Sequence, residues 1–358
     1  MLDFNQSPLL VIWEVTQSCD LACVHCRASA VPGRDPNELT TQEGFDLLNQ
    51  IKEFGSPLMV FTGGDPLKRP DIYELSNYSV GLRLRTNITP SATPLLTFQA
   101  INEFKRCGIS RMAIGLDGPD AATHDGFRGV DGAFDRAMLA LRHAQRIGLE
   151  TQLQTTVTRR NFRKLAQIAE IAAEVGTKMW SLFFLVATGR ALENEDLTGE
   201  EYEKVFEFIY TIGKVAPFDV KTIEGMHYRR YVAQRLKSDA DARGAEGNVV
   251  WRPAGVSDGH GCVFISHTGE VFPSGFLPVT AGNVRSDSLV DIYRNSSLFR
   301  MLRDPEARLG KCGRCEYTKI CGGSRARAYA STGDYLAEDP RCVYQPAQQL
   351  VSAAAPTV

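Results

Sequence analysis

CDLACVHC, residues 19–26, follows the apolar segment Leu9–Val15 close to the start of the chain. The apolar segment predicts a first β-strand, and the cysteines that come after it have the spacing C-x3-C-x2-C. Three thiolates with this spacing can hold three irons of a [4Fe–4S] cluster and leave the fourth iron without a protein ligand. The stretch therefore predicts a metal centre with one position open for chemistry.

Length and composition limit the kind of protein. A chain of 358 residues exceeds the size at which a single core usually stops growing, so we expect one large and one small domain. The formal net charge of −2 argues against a nucleic-acid surface, and we expect a small-molecule or peptide substrate. The sequence has neither a signal peptide nor a run of roughly 18 apolar residues, which indicates no membrane association and a cytoplasmic location.

The nine cysteines are unevenly distributed, and most fall within residues 19–26 and 312–342. Clustered cysteines in a reducing compartment indicate metal binding rather than disulfides. A zinc site at residues 19–26 would use His25 as its fourth ligand, but the four side chains are too close in sequence for the separated pairs that zinc sites use. An iron–sulfur cluster is the better interpretation.

The first two-thirds of the chain alternate short apolar runs with amphipathic stretches. The predicted strands are Leu9–Val15, Leu58–Thr62, Leu82–Thr86, Arg111–Leu116, Thr151–Val157 and Met179–Val186. The predicted helices are Thr41–Phe54, Asp71–Val80, Pro94–Cys107, Gly132–Ile147, Phe162–Val175 and Glu200–Lys214. Six successive βα units predict an α/β fold with a parallel sheet, either flat or curved. Polar motifs after several strands favour a curved sheet, a partial (β/α)6 TIM-like barrel over residues 8–216, with its active face at the carboxyl ends of the strands.

The pattern changes near residue 217. Residues 217–255 read as a linker near the substrate, within which the polar stretch Ser238–Asn248 predicts an exposed loop. Residues 256–346 predict a small cysteine-rich domain that begins with a hairpin turning at Thr268–Gly269. Two short helices are expected at Leu289–Arg294 and Ser297–Arg303.

The spacing of Cys19, Cys23 and Cys26 resembles the signature of radical S-adenosylmethionine (SAM) enzymes. The resemblance implies that SAM chelates the open iron and that the barrel has six βα units. It also implies that Gly63, Gly64, Asp65 and Pro66, after the second strand, correspond to a Gly-Gly-Glu-Pro loop that hydrogen-bonds the amino group of SAM, with Asp in place of the usual Glu.

Other cofactor-binding residues also follow from this resemblance. His25, before the third cysteine, would pack near the adenine of SAM, and Arg128 would pair with the carboxylate of SAM. Gly115 stands where family members often have a Ser that contacts SAM. Thr156 and Val186 come at the ends of the fifth and sixth strands, where cofactor contacts are expected.

Four cysteines near the C-terminus can close a second cluster without an open iron. They are Cys312, Cys315, Cys321 and Cys342, and the alternative for such a set is a four-cysteine zinc ribbon. The region resembles the SPASM extension of radical SAM enzymes, which usually has seven cysteines and two auxiliary clusters. Ser274 and Ser324 occupy positions where cysteine is usual, which implies one auxiliary [4Fe–4S] cluster and leaves Cys262 as an ordinary buried thiol, like Cys107.

Within the SPASM group, four segments resemble most the heme-forming decarboxylases of the alternative heme pathway. These segments are Trp13–Thr16, Val186–Arg190, Ser266–Gly269 and Arg325–Tyr329. The resemblance implies that a 5′-deoxyadenosyl radical oxidises propionates of an iron-coproporphyrin, with an electron donor such as flavodoxin or ferredoxin. A peptide maturase of the same chemistry and a non-catalytic iron–sulfur or zinc scaffold remain alternatives.

Three basic residues lie in the predicted linker. His227, Arg229 and Arg230 could face a carboxylated or iron-bearing substrate, and they could equally be solvated surface residues.

Overall fold

The computed structural model describes residues 3–243 and 255–347, and within them the main feature is a sheet of ten strands. The strands are β1 (Leu10–Glu14), β2 (Leu58–Thr62), β3 (Thr86–Ile88), β4 (Arg111–Gly115), β5 (Glu150–Val157), β6 (Met179–Phe184), β7 (Asp219–Ile223), β8 (Cys262–Ile265), β9 (Glu270–Phe272) and β10 (Gly282–Asn283). Their order across the sheet is β10-β9-β8-β1-β2-β3-β4-β5-β6-β7. From β8 to β7 all neighbours are parallel, and only β9 and β10 are antiparallel additions.

The C-terminal region shares this sheet with the βα core. Leu10 of β1 is paired with Leu58 of β2 on one side and with Cys262 of β8 on the other. Strand β1, which leads into the first cysteine stretch, is therefore hydrogen-bonded on both edges. The cysteine-rich region is built onto the core by main-chain hydrogen bonds rather than by side-chain packing alone.

Helices connect the parallel strands as crossovers. The helices are α1 (Thr41–Glu53), α2 (Ile72–Gly81), α3 (Phe98–Arg106), α4 (Ala121–Arg128), α5 (Ala133–Arg146), α6 (Leu165–Glu174), α7 (Gly199–Ile212), α8 (Tyr228–Arg243), α9 (Leu289–Asn295), α10 (Ser297–Arg303), α11 (Gly310–Arg314) and α12 (Arg325–Thr332). Thr40 caps α1 in a capping box with Glu43, and Thr198 caps α7 in the same way with Glu201. Such caps satisfy the free N–H groups of the first helical turn.

The hydrophobic core lies between the sheet and these helices. Trp13, Phe61, Trp180 and Phe184 are buried, and they come from β1, β2 and β6. Gly44 of α1 packs so closely on Trp13 that a Cβ atom there would lie 2.8 Å from its ring. Close packing of this kind fixes where each strand ends, and with it the loops at the carboxyl edge.

The predicted α/β fold is confirmed, and the sheet extends further than six units. β7 was not predicted, because Asp219–Ile223 contains Asp, Lys and Thr and is only partly buried. β3 lies further along the chain than the predicted Leu82–Thr86. The alternating residues there instead form the end of α2 and a turn in which Arg83 has φ +60°. The hairpin at Thr268–Gly269 forms, but its first strand is also a parallel strand of the core sheet.

The interpretation of residues 217–255 as a linker needs correction, because the segment contains β7 and α8. The exposed loop predicted at Ser238–Asn248 is wrong for its first part, since α8 continues to Arg243. The remainder of that loop lies outside the described residues. Among the residues that the structure describes, no helix combines the length and apolar character needed to cross a membrane.

Candidate functional site

A cavity of about 210 Å³ lies at the carboxyl edge of the parallel sheet. Cys19, Cys23 and Cys26 all line it, in the loop between β1 and α1. Cys19 and Cys23 are buried, and burial raises the pKa of both thiols. The three sulfur atoms therefore face one enclosed space, as three ligands of one cluster must.

Backbone contacts hold the cysteine loop in place. The amide of Leu21 donates to Cys19 Sγ at 3.4 Å, and the amide of Ala30 donates to Cys26 Sγ at 3.4 Å. The guanidinium of Arg190, after β6, donates to the carbonyl of Cys23 at 2.9 Å. N–H groups aimed at sulfur are typical of iron–sulfur sites, where they stabilise thiolate charge.

Most of the residues predicted to bind cofactor border the same cavity. They are His25, Gly63, Gly64, Gly115, Arg128, Thr156 and Val186. These residues lie in, or in the segments that follow, the five parallel strands β1, β2, β4, β5 and β6, and the pairing of strands in one sheet brings them together. Their individual roles toward SAM stay predictions.

Asp65 and Pro66, which were also predicted to bind the cofactor, do not line the cavity, and their role toward SAM stays a prediction. Asp65 is buried and accepts hydrogen bonds from Thr93 Oγ1 at 2.7 Å and from the amide of Leu67 at 3.2 Å. Asp65 therefore holds the loop through these hydrogen bonds, whereas Gly63 and Gly64 border the cavity. A Cβ atom on Gly64 would overlap the carbonyl of Ser18, so only glycine lets this loop approach the cysteine loop.

Arg128 and Asp117 form a buried ion pair beside the cysteines. Nη2 of Arg128 lies 2.6 Å from Asp117 Oδ2, and Nη1 lies 3.8 Å from Cys23 Sγ. Burial raises the pKa of Asp117, but the charges of Arg128, His25 and His124 and the hydrogen bond from Thr156 together outweigh burial and leave this pKa lowered. Burial lowers the pKa of His25, whose Nε2 is 3.8 Å from Asp117 Oδ2, to about 4. The cavity therefore presents a neutral imidazole and a charged guanidinium at neutral pH.

Sequence reasoning missed several residues that line the cavity. Ser91 follows β3, and its hydroxyl lies 3.5 Å from Cys19 Sγ and donates to the carbonyl of Gly64 at 2.7 Å. It was missed because β3 was placed too early, although the polar run after Ile88 was a usable signal. Arg27 and Phe276 also line the cavity, and no motif marked them.

Three buried polar atoms on side chains that line this cavity have no hydrogen-bond partner among the described residues: Nδ1 of His25, Nε of Arg128 and Nη2 of Arg190. Unpaired buried donors are costly, so such atoms mark a place for an acceptor. Three thiols, unpaired cationic donors and a glycine-lined loop fit a [4Fe–4S] cluster with SAM beside it.

The C-terminal cysteines border a second, smaller cavity. All four predicted thiols, Cys312, Cys315, Cys321 and Cys342, line it. Cys312 Sγ accepts from the amide of Asp339 at 3.4 Å and Cys321 Sγ from the amide of Gly323 at 3.5 Å. Burial raises the pKa of Cys321 to about 12, so metal binding here must release protons.

The arrangement of these four thiols indicates whether they suit a single metal ion or a cluster. Within residues 3–243 and 255–347, no group of three or more His, Cys, Asp or Glu side chains is close enough to hold a single metal ion. The sulfurs instead surround a space, which fits a cluster in which each thiolate binds its own iron.

A second auxiliary cluster would use the positions of Cys262, Ser274 and Ser324. These residues lie near two buried carboxyl groups, Glu224 and Asp258. Ser324 Oγ donates to Glu224 Oε2 at 2.5 Å, and Ser274 lies beside Asp258. Burial, with a smaller contribution from Asp258, raises the pKa of Glu224 to about 8. Cys262 is the single thiol here, and burial raises its pKa to about 12. One thiol among hydroxyl and carboxyl groups does not fit a [4Fe–4S] cluster.

The three basic residues of the expected linker are not solvated. His227 and Arg230 are buried and border the second cysteine cavity, and Arg229 donates to the carbonyl of Ile320 at 3.3 Å. None of them lines the cavity of the first cysteines.

Comparison with known proteins agrees with this geometry. The Radical SAM superfamily model matches residues 13–172, and the SPASM iron–sulfur cluster-binding domain matches residues 258–316. The chain is 42% identical to an AdoMet-dependent heme synthase of Oleidesulfovibrio alaskensis, over 94% of this chain and 87% of that protein. It is 31% identical to a mycofactocin maturase of Mycobacterium tuberculosis, over 94% of this chain and 83% of that one.

A solved structure supports the fold. Streptococcus suis SuiB bound to S-adenosylmethionine matches with a TM-score of 0.74 and 17% identity, over 95% of this chain and 78% of that chain. At this identity the likeness shows the architecture alone.

Proposed function

Because the chain belongs to the radical SAM superfamily and carries its SPASM extension, we propose that it oxidatively decarboxylates propionate side chains of an iron-coproporphyrin in heme synthesis. It is a SAM-dependent enzyme with [4Fe–4S] clusters. The full-length similarity to heme synthases supports the substrate class.

Cys19, Cys23 and Cys26 would hold the first cluster, and the four C-terminal cysteines would hold the second. When bound, the first supplies the electron that cleaves SAM to methionine and a 5′-deoxyadenosyl radical, and the second supplies a one-electron acceptor. Transfer of a hydrogen atom from a propionate to this radical would give 5′-deoxyadenosine. Loss of CO2, and of one electron to the acceptor, would then leave a vinyl group.

The charge of the cavity is the observation that carries the proposal. Its charged side chains are the guanidinium groups of Arg27, Arg128 and Arg190, and no Asp or Glu is among the described residues that line it. SAM carries one carboxylate and a coproporphyrin carries several. A cavity lined by guanidinium groups attracts such ligands and orients them through paired hydrogen bonds.

The chain's own residues position the ligands and exclude water. Arg128 is oriented by Asp117, which in turn accepts from the amide of Thr156 at 2.7 Å. Thr156 and Arg128 both border the cavity, so one rigid network sets two sides of it. Phe183, Leu185 and Val186 close the cavity with apolar surface, which keeps water from a reactive radical.

The decisive experiment is an anaerobic reaction with iron-coproporphyrin III, SAM and dithionite. The expected result is formation of 5′-deoxyadenosine together with loss of CO2 and two hydrogens per propionate, seen by mass spectrometry. Vigorous SAM cleavage with an unchanged porphyrin contradicts the proposed substrate.

That second outcome would favour maturation of a peptide, because a maturase is also among the relatives with long coverage. A precursor peptide would then show the mass change instead. A cytoplasmic location and a flavodoxin or ferredoxin donor are part of the same proposal.

A further inference from the structure

One side of the cavity is aromatic. Phe183, near the end of β6, and Phe276, after β9, both border the cavity and are half-buried. Their ring centroids are 6.1 Å apart, with a tilt of 49°. Strand β9 belongs to the C-terminal region, so both parts of the chain form this wall. Aromatic surface left partly exposed inside a cavity suits a flat apolar ligand.

Arg27 lies beside this wall, and contacts independent of the cysteines fix its position. Its guanidinium carbon is 4.6 Å from the centroid of the Phe264 ring, and its Nη2 is ion-paired with Glu14. The backbone of Gly275 packs against it, since a Cβ atom on Gly275 would lie 3.3 Å from Arg27 Nε. Arg27 is thus anchored in place before any ligand arrives.

The contact with Glu14 leaves Arg27 able to bind a further acceptor, and Glu14 is itself shared with a second side chain, His267. Nδ1 of His267 lies 3.0 Å from Glu14 Oε1, and its Nε2 is 3.5 Å from Asp35. Burial lowers the pKa of His267, but the hydrogen bond with Glu14 and the charges of Glu14, Asp35 and Glu38 together outweigh burial and leave this pKa raised. The contact with Glu14 engages one nitrogen of a guanidinium that has five N–H donors.

The other two arginines of the cavity have different tasks. Arg128 is paired with Asp117 beside Cys23, and Arg190 holds the carbonyls of Cys23 and Ala30. Both therefore contact the cysteine loop. Arg27 is the cavity arginine that is anchored next to the aromatic wall instead.

We propose that Arg27 binds a carboxylate of the substrate while Phe183 and Phe276 pack against the face of its flat ring. The inference rests on the proposed function and deepens it, since it assigns the recognition of an acidic, planar macrocycle. A guanidinium binds a carboxylate through two parallel hydrogen bonds, which fixes the ring's orientation as well as its charge.

The test uses the anaerobic holoprotein and measures binding of iron-coproporphyrin III by absorbance titration. Arg27→Gln is expected to weaken this binding by about 10- to 100-fold, the loss expected for a charge-assisted hydrogen bond. Iron content and SAM binding are measured in the same samples, and the loss of porphyrin binding should exceed any change in either. Arg34→Gln is the matched control, because Arg34 pairs with Glu38 in the same segment but does not line the cavity.

The tetramethyl ester of the same porphyrin separates recognition of charge from recognition of the ring. Arg27→Gln should bind the ester as well as the wild type does, whereas Phe276→Ala should lose affinity for the acid and the ester alike. Arg27→Lys keeps the positive charge but cannot form the two parallel hydrogen bonds of a guanidinium. It should therefore recover part of the affinity for the acid that Arg27→Gln loses.

Two results overturn the inference. One is equal affinity of the wild type and Arg27→Gln for the acid porphyrin. The other is a loss of iron or SAM binding in Arg27→Gln and Arg27→Lys that matches their loss of porphyrin binding, since this would mark a purely structural residue. Failure of the wild type itself to bind the porphyrin would instead overturn the proposed function, so the two failures are distinguishable.

Discussion

The guanidinium of Arg128 occupies the space that a side chain at position 115 would need, so that a Cβ atom on Gly115 would overlap Nη2 of Arg128. Sequence reasoning treated Gly115 as the loss of a serine contact. The structure gives a physical reason for the glycine, because it lets Arg128 reach both Asp117 and Cys23. Gly115 and Arg128 therefore act as a pair.

The first prediction concerns this pair. Gly115→Ala should push Arg128 away from Asp117 and raise the Kd for SAM by about 10- to 100-fold, the equivalent of one charge-assisted hydrogen bond. Gly126→Ala is the control, because Gly126 lies in the same helix as Arg128 and has open space for a Cβ atom. Equal SAM affinity in both variants would show that Arg128 does not contact SAM.

The second prediction concerns the two cysteine sites. Two four-iron clusters hold about eight irons, so Cys23→Ser and Cys321→Ser should each reduce the iron content to about four per chain. Only Cys23→Ser should abolish formation of 5′-deoxyadenosine. Cys107→Ser is the control, because Cys107 is buried and lines neither cavity. Its Sγ lies 3.7 Å from the carbonyl of Tyr73. Zinc in place of iron at the second site would contradict the assignment.

The third prediction follows from the raised pKa of Glu224. Below pH 4.5 the carboxyl group is protonated in the folded and unfolded chain alike, and between pH 4.5 and about 8 only the unfolded chain ionises. Stability is therefore lost as pH rises through this range, by up to about 1.4 kcal/mol per pH unit. Glu224→Gln removes this loss and should be more stable than the wild type at pH 8, with a smaller advantage at pH 5.

Thermal unfolding at both pH values measures the effect. Glu174→Gln is the matched control, because the Glu174 side chain is 59% exposed and pairs with Arg142 on the surface. A difference between wild type and Glu224→Gln that is the same at pH 5 and pH 8 would show that Glu224 is ionised in the folded protein.

The fourth prediction concerns Arg327, which is buried and holds the two regions together. It donates to the carbonyls of Leu185 and Glu224 and pairs with Asp339 at 3.2 Å. Arg327→Ala leaves the buried carboxylate of Asp339 without its arginine partner and should cost about 3–5 kcal/mol of unfolding free energy. Arg142→Ala, at an exposed pair, should cost less than about 1 kcal/mol in the same denaturant titration. Similar losses for both would refute a structural role for Arg327.

The metal ligands and the glycine turn could be predicted from the sequence, whereas several residues that line the rest of the cavity could not. The cysteines and the glycines of the Gly63–Gly64 turn carry their own local signal, because metal ligation and close backbone approach restrict residue type strongly. Arg27 and Phe276 carry no such signal. Arginine and phenylalanine occur in many settings, and only pairing of β8 with β1 brings residue 276 next to residue 27.

Strand positions show the same limit. β7 was missed because Lys221 and Thr222 interrupt any apolar run, and its place in the sheet comes from pairing with β6. β3 was misplaced because alternating Leu and Arg residues also fit a turn that leaves a helix. In both cases contacts distant in sequence decide the structure, and a local pattern does not contain them.

The pairing of β8 with β1 has a consequence for electron flow between the two cysteine sites. Main-chain hydrogen bonds join residues 10–13 to residues 262–265, so a motion that separated the two regions at this seam would have to break them. The distance over which an electron would tunnel between the two cysteine sites would then be fixed by the fold. Transfer between the two centres would then be governed by their energies rather than by the timing of a domain motion.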